Sequence, residues 1–296
     1  MDSILDRGID VVLWFQQFSP ALDAPFLLMT FMGDQEFFML MLPFVYWCVD
    51  RSAGSRLIFF FLLSVYLNQI AKELLDQPRP FQYDSRVRQL TAASGGGLPS
   101  GHTQQAVAVW GFVALYWRRP WARCAAAVLI IGIPLSRVYL GVHFPTDLLG
   151  GYLIGGTLLW LYVALAPSIV DRLSRQSLTL HLFVITVLSL GLTVVDSGGG
   201  ANGIRLGGVL MGLGIGLVLE RRLVRFEAGG WWGRRLGAYL FGVAMLFSVY
   251  YGLRVLFSDL EPVSFWRYLR YALVGFWGAF GAPWVFVRLK LLPTGS

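Results

Sequence analysis

The chain predicts an all-α, polytopic membrane protein of about nine transmembrane helices preceded by N-terminal interfacial helices. Three observations carry this. Of 296 residues, 56% are hydrophobic and only 14% charged, a balance foreign to soluble domains. Apolar stretches recur at 35–50, 57–75, 102–117, 121–140, 147–166, 178–195, 204–220, 236–257 and 266–288, and a bilayer-spanning helix needs about 20 such residues. Shorter stretches are completed by flanking residues or by local thinning of the bilayer. The arginines, finally, fall in short runs between the stretches, as at Arg118-Arg119 and Arg221-Arg222, where topology determinants sit.

Taken in order, residues 1–34 mix Asp2, Asp6, Arg7, Asp10 and Asp23 with Leu5, Ile9, Trp14, Phe15 and Phe18, broken at Pro20 and Pro25. They read as two short amphipathic helices lying in the interface. Residues 35–170 form a core of helices, and 171–296 add further spans. Met1-Asp2 opens without a basic region ahead of a compact apolar core, so a removable signal peptide is not expected. Alternate loops hold Arg51 and Arg56; Arg118, Arg119 and Arg123; Arg172 and Arg175; Arg221, Arg222, Arg225, Arg234 and Arg235; and Arg288 with Lys290. That side is expected to be cytoplasmic, which places the N-terminus outside and the C-terminus inside. The opposite loops are glycine-rich 196–203, 258–265 with Asp259 and Glu261, and the segment 76–101; apart from that last segment they carry few basic residues. Cys48 and Cys124 both fall on the cytoplasmic side, where thiols stay reduced and no disulfide is expected.

The net charge of +7 is almost wholly arginine, Lys72 and Lys290 being the only lysines. Its confinement to short loops excludes nucleic acid as a partner; membrane lipids are the expected surroundings. The oligomeric state is not legible. Gly151 and Gly155, and Gly208, Gly212 and Gly216, recur at four-residue spacing and predict close helix packing. Gly95–Gly97 and Gly198–Gly200 read as flexible loops. Asp34 and Glu36 read as helix caps, His181 as a packed side chain, and Arg267 and Arg270 as snorkelling to headgroups, with an extension of the phosphate site as the alternative.

A charged group within a transmembrane helix costs about 2.5–3.5 kcal/mol at its centre on insertion scales, so a cluster of such groups demands a reason. Lys72 closes the second stretch, Arg79-Pro80 follows, Pro99-Ser100-Gly101-His102 opens the third, and Ser136-Arg137 ends the fourth. His143 and Asp147 come next, four residues apart. All lie at the outer ends of their helices by the topology above. Lys72, Arg79 and Arg137 supply three permanent positive charges, two of them forks suited to bidentate phosphate contact. Ser100 adds a hydroxyl donor, and the Gly101 and His102 amides sit at a helix N-terminus that favours an anion. Together they make a preorganised cradle for a transferring phosphoryl group.

On a helix starting near Pro145, Asp147 approaches one ring nitrogen of His143 and fixes its tautomer, leaving the other nitrogen to attack phosphorus. His102 is then free to protonate the departing alcohol and later to activate water. Singly, such residues are more often snorkelling or packed side chains. The chain has only three histidines, however, and two fall in this set.

These residues resemble the three-part signature of the type 2 phosphatidic acid phosphatases: Lys72 through Arg79-Pro80, then Pro99-Ser100-Gly101-His102, then Ser136-Arg137 through His143 to Asp147. Every signature position matches. The resemblance covers 35–166 and leaves the last four spans outside it. It implies His143 as nucleophile, Asp147 as its partner and His102 as general acid, with Lys72, Arg79, Ser100, Gly101 and Arg137 holding the phosphate. It also implies no cofactor and no metal, and the sequence lacks the carboxylate cluster that magnesium would demand there. Nine spans with an outside N-terminus look more like the glucose-6-phosphatase layout than the six of many bacterial relatives.

The expected function is a membrane phosphatase acting on a lipid phosphate such as phosphatidic acid, phosphatidylglycerol phosphate or an isoprenyl diphosphate. The expected location is a bacterial inner membrane with the site facing the periplasm or exterior. Loop 81–98, with Arg86 and Arg88, is placed to close over the headgroup. A soluble sugar phosphate is the alternative substrate. A vanadate-binding haloperoxidase is disfavoured by full membrane embedding, and a transporter or scaffold by the complete nucleophile and acid.

Overall fold

Continuous apolar runs with no polar partners for their backbone can satisfy their N–H and C=O groups only within helices, and each of the nine stretches is helical in the computed structural model. The structure describes residues 2–195, 202–260 and 263–295; Gly198–Gly200 and Glu261 lie outside them. Among the described residues there is no strand, only an isolated bridge between Phe226 and Thr294.

The helices are α1 (Asp2–Gln16), α2 (Asp23–Phe31), α3 (Gln35–Phe44), α4 (Arg51–Leu75), α5 (Pro80–Tyr83), α6 (Gly101–Gln105), α7 (Gly111–Trp117), α8 (Pro120–Tyr139), α9 (Pro145–Ser174), α10 (Leu178–Val195), α11 (Asn202–Leu219), α12 (Trp232–Leu256), α13 (Ser264–Phe276) and α14 (Ala282–Arg288). Wide π turns at Val45–Val49, Ala106–Trp110, Glu220–Val224 and Trp277–Gly281 continue α3, α6, α11 and α13. Among the described residues, five segments are long and apolar enough to cross a membrane: Arg51–Tyr83, Pro120–Tyr139, Pro145–Leu173, Asn202–Val224 and Trp232–Leu256. Gln35–Val49 and Leu178–Val194 are shorter apolar helices. The third and ninth predicted spans are not among these segments; π turns fall within both.

The chain forms two compact units. One comprises residues 1–39 and 63–167; the other comprises 40–62 and 168–296. In the first, α1 turns Leu5, Ile9 and Val12 onto Val87, Val138, Phe144 and Leu148, so one face of this helix lies in a protein core. Its opposite side leaves Ile4, Val11 and Trp14 exposed. Gln16 ends α1 and pins the distant loop 81–98: its amide nitrogen donates to the Arg88 carbonyl at 2.7 Å, and its amide oxygen accepts from the Arg88 N–H at 3.0 Å. Gly141, at φ +76°, sits against the Arg88 carbonyl, where a side chain would collide with backbone. Loop 81–98 is thereby held in place, the Leu90 N–H also donating to the Leu140 carbonyl. Gly151 and Gly155 of α9 let that helix approach Ser100 and Gln104 to within contact of their backbones, as the spacing predicts.

In the second unit, Gly208, Gly212 and Gly216 of α11 face Tyr268, Ala272 and Ala279, again the close packing that four-residue spacing predicts. The π turn after α11 buries Glu220 completely, its carboxylate paired with Arg51 at 2.9 Å and accepting the Phe226 N–H at 3.1 Å. Arg270 departs from the snorkelling expectation. It is buried, its guanidinium over the rings of Tyr250 at 5.5 Å and Tyr271 at 4.8 Å, because α12 and α13 pack an aromatic face around it. Both cysteines are free thiols, Cys48 buried and Cys124 exposed.

Because a Cβ at Gly212 would run into the Ala272 carbonyl while one at Gly252 meets open space, the two positions give opposite expectations. Gly212→Ala should destabilise by about 1–3 kcal/mol through overpacking, and Gly252→Ala should be neutral or stabilise by up to about 1 kcal/mol through helix propensity. Thermal unfolding of the detergent-solubilised variants checks this; equal midpoints would refute the packing.

Candidate active site

Short segments at the ends of four helices build the site, all within the first unit. Lys72 lies in the last turn of α4. Beyond it the run Gln77-Pro78-Arg79-Pro80 cannot stay helical, since a residue before proline is pushed to extended geometry. Arg79 adopts φ −88°, ψ 159° and caps α5. Its side chain is buried and held on three sides: Nε donates to the Gly95 carbonyl at 2.9 Å, Nη2 to the Ser94 carbonyl at 2.7 Å, and Nη1 to the Val142 carbonyl at 2.8 Å. Lys72 Nζ donates to the Gly96 carbonyl at 2.8 Å. The glycine-rich loop read as flexible is therefore folded over two of the three cations.

Ser100 is the N-cap of α6, its hydroxyl accepting the Thr103 N–H at 3.4 Å, which leaves the hydroxyl proton available to a guest. Gly101 abuts Asn68, where a Cβ would stand 2.9 Å from the amide oxygen. Beneath this turn lies a buried polar network. Asn68 donates to Gln104 at 2.9 Å, Ser64 to Gln105 at 2.7 Å, and Gln104 to the Ser64 carbonyl at 2.7 Å. Arg137, in the last turn of α8, is 4% exposed; its Nη1 donates to the Thr30 hydroxyl, while its Nε is buried with no hydrogen-bond partner. An unpaired guanidinium N–H in such a place is costly unless an anion meets it.

His143 precedes α9 and Asp147 occupies its first turn. Nδ1 of His143 lies 3.1 Å from Asp147 Oδ2, and Nε2 lies 3.3 Å from Arg79 Nη1. A guanidinium can only donate and a carboxylate here accepts, so His143 is the Nδ1–H tautomer with its lone pair on Nε2, toward the cations. Burial, and then the charges of Arg137, Arg79 and Lys72, hold its pKa well below the usual 6.5, so the ring stays neutral and keeps that lone pair. Asp147 is wholly buried and accepts further bonds from the Phe144 N–H at 2.9 Å and the Gln77 amide at 2.8 Å. His102 Nε2 meets Asp34 Oδ1 at 2.8 Å.

The sequence-predicted set Lys72, Arg79, Ser100, Gly101, His102, Arg137, His143 and Asp147 thus occupies the ends of α4, α6, α8 and α9 and the loops beside them. Sequence reasoning missed Thr30, Asp34 and Gln77. Gln77 carried a faint signal, as an amide between a helix end and two prolines. Asp34 had been read as a cap, whereas its carboxylate goes to a histidine 68 residues away. Among the described residues, no group of three or more His, Cys, Asp or Glu side chains stands close enough to hold a metal ion.

Comparison with known proteins gives a match of residues 53–170 to the family model described as PAP2 superfamily, and of residues 204–294 to "PAP2 superfamily phosphatase, transmembrane extension". The second match includes spans that the sequence left outside the resemblance. Glucose-6-phosphatase 3 of Mus musculus is 30% identical over 192 residues, 56% of this chain and 55% of that protein. Sphingosine-1-phosphate phosphatase 2 of Mus musculus is 32% identical over 164 residues, 53% of this chain and 46% of that protein. The chain spans about half the length of these curated relatives. A crystal structure titled as a transmembrane PAP2 type phosphatidylglycerolphosphate phosphatase from Bacillus subtilis is 24% identical, with a TM-score of 0.48, covering 57% of this chain and 89% of that one.

The depressed pKa of His143 sets a stability window. Unfolded, the ring titrates near 6.5; folded, it resists protonation. As pH falls below about 6.5 the unfolded state takes up a proton that the folded state refuses, so stability drops as the solution is acidified. His143→Gln should remove about one proton from that dependence. Denaturation midpoints between about pH 7 and 5 check it, and parallel curves for the two proteins would contradict the buried neutral ring.

Proposed function

The chain belongs to the PAP2 superfamily, and from that premise we propose that it is a membrane phosphatase that hydrolyses a lipid phosphate ester or diphosphate through a phosphohistidine on His143. The observation that carries the reading is the placement of His143: Nδ1 on Asp147, Nε2 beside Arg79, and the ring buried and neutral.

The steps follow from that arrangement. The Nε2 lone pair attacks phosphorus, the N–P bond forms, and the bond from phosphorus to the leaving oxygen breaks. His102 gives its proton to that oxygen. The ring of His143 becomes positive as it takes the phosphoryl group, and Asp147 offsets that charge through Nδ1–H. Water then attacks phosphorus, His102 takes the water's proton, the N–P bond breaks, and inorganic phosphate departs. Lys72, Arg79, Arg137, the Ser100 hydroxyl and the Gly101 amide hold the non-bridging oxygens throughout. The three cations supply the charge neutralisation that other phosphatases draw from divalent metals, so no metal is required.

A lipid substrate suits a site at the ends of membrane helices, where acyl chains remain in the bilayer while the headgroup enters the cradle. The positive-inside distribution of the arginine runs supports an orientation with that end outside the cytoplasm. Similarity to sphingosine-1-phosphate phosphatase 2 supports the lipid reading. Similarity to glucose-6-phosphatase 3 supports the second one, a soluble sugar phosphate.

Phosphate release in detergent from phosphatidic acid, an isoprenyl diphosphate and glucose 6-phosphate, each with and without EDTA, separates these. Release should be fastest from a lipid, unaffected by EDTA, inhibited by orthovanadate and abolished in His143→Ala; an active variant would sink the mechanism. Arg137→Ala should lower kcat/KM by about 10²–10³, the usual cost of one donor to a developing oxyanion. A drop of less than about threefold would exclude Arg137 from the cradle.

A further inference from the structure

Two histidines of the site each carry a carboxylate, but only one of those carboxylates belongs to the signature. Asp147 meets His143 at 3.1 Å; Asp34, from the turn after α2, meets His102 Nε2 at 2.8 Å. The same segment touches the site again through Thr30, whose hydroxyl receives Arg137 Nη1. Gly33 lies flat against the ring of His102, leaving 2.7 Å between a would-be Cβ and Cδ2 and so fixing the ring edge from the backbone side. Residues 30–34 therefore hold both a phosphate-facing cation and the second histidine.

We propose that Asp34 is a positioning residue for the leaving-group side of the reaction: it holds His102 by Nε2–H, so that Nδ1 delivers the proton to the departing oxygen. The charges around His102 explain why a carboxylate is needed there. Lys72 from α4 and Arg137 from α8 act on it as positive neighbours, His143 faces it from the loop before α9, and Asp34 is the opposing charge. Asp147 cannot serve, since its oxygens are taken by His143, Phe144 and Gln77. Without Asp34, an imidazolium beside two fixed cations would be disfavoured just when it must carry the proton. In the step, the Nδ1–H bond breaks as the leaving oxygen gains the proton, and Nδ1 recovers one from the hydrolytic water. Asp34 exchanges no proton and touches no reacting atom.

The inference rests on the reading of His102 as general acid, and the test separates the two. Turnover of an alkyl phosphate and of p-nitrophenyl phosphate is measured against pH for the wild-type protein, His102→Ala, Asp34→Asn and Asp34→Glu. His102→Ala should lose about 10²–10⁴ on the alkyl ester and far less on the aryl ester, whose leaving group needs no proton. Asp34→Asn should lose about 10–100-fold on the alkyl ester and less than about threefold on the aryl ester. Its basic limb should move to lower pH by about one unit, the tenfold shift expected on losing one opposing charge. Asp34→Glu, which restores the charge, should recover most of the alkyl activity. Equal losses on both esters with an unmoved limb, or a glutamate variant no better than the asparagine one, overturn the role of Asp34. Should Asp34→Asn fail to fold, the glutamate variant's ester ratio and basic limb decide, wild-type-like values supporting the role and a lost alkyl preference overturning it. If His102→Ala shows no difference between esters, the general-acid reading falls, and this inference falls with it.

Discussion

The carboxylate of Asp147 joins the three separated pieces of the site. Its side chain binds Gln77 from the loop after α4 and His143 with Phe144 from the loop before α9, while its backbone carbonyl accepts the Ser100 N–H at 2.9 Å. It is 0% exposed. Burying an ionised carboxylate costs several kcal/mol unless its lone pairs are filled, and three donors from two loops fill them. Each loop is thereby tied to the others through one residue, and Gly97 keeps the room open, for a Cβ there would stand 3.0 Å from Oδ2. The tautomer of His143 is a consequence of this junction, because the nitrogen facing a carboxylate must carry the proton.

Helix polarity arranges the remaining charges around that junction. Lys72 and Arg137 sit in the last turns of α4 and α8, where backbone carbonyls and the dipole favour cations; α6 and α9 begin there, where free N–H groups favour an anion. Two helices ending and two beginning at the same face thus supply both the positive side chains and the amides that a phosphoryl group needs. Carbonyls of Ser94, Gly95 and Gly96 hold Arg79 and Lys72 in place, so the cations need little reorganisation when a guest arrives. Arg137 Nε is buried with no such partner.

How much of this was legible follows from how far apart the contacts lie in the chain. The His143–Asp147 pair is four residues long and is read directly from helix geometry; the apolar runs are local too, and all nine became helices. The glycine stripes of α9 and α11 forecast their close approaches for the same reason. By contrast, Thr30 meets Arg137 over 107 residues, Asp34 meets His102 over 68, and Gln77 meets Asp147 over 70. No periodicity encodes those separations. The π turns left no composition signal, though they fall within stretches that read as single spans. For α1 the moment of the helix was visible, but not that a protein core would receive its Leu5, Ile9 and Val12 face.

The two histidine–carboxylate pairs differ in burial, and on the proposed mechanism that difference divides their work. His143 and Asp147 are 2% and 0% exposed; His102 and Asp34 are 20% and 35% exposed. A nucleophile that must keep its lone pair against protonation gains from a dry site ringed by cations, because both effects oppose the imidazolium. A group that gives a proton and takes one back in every turnover needs water within reach and an opposing charge that survives partial solvation. The same cations that keep His143 neutral would strip the proton from His102, so the two rings can sit in one electrostatic cage only if the second has a carboxylate of its own. The turn after α2 supplies it, which makes the N-terminal segment a structural part of the catalytic end of the molecule.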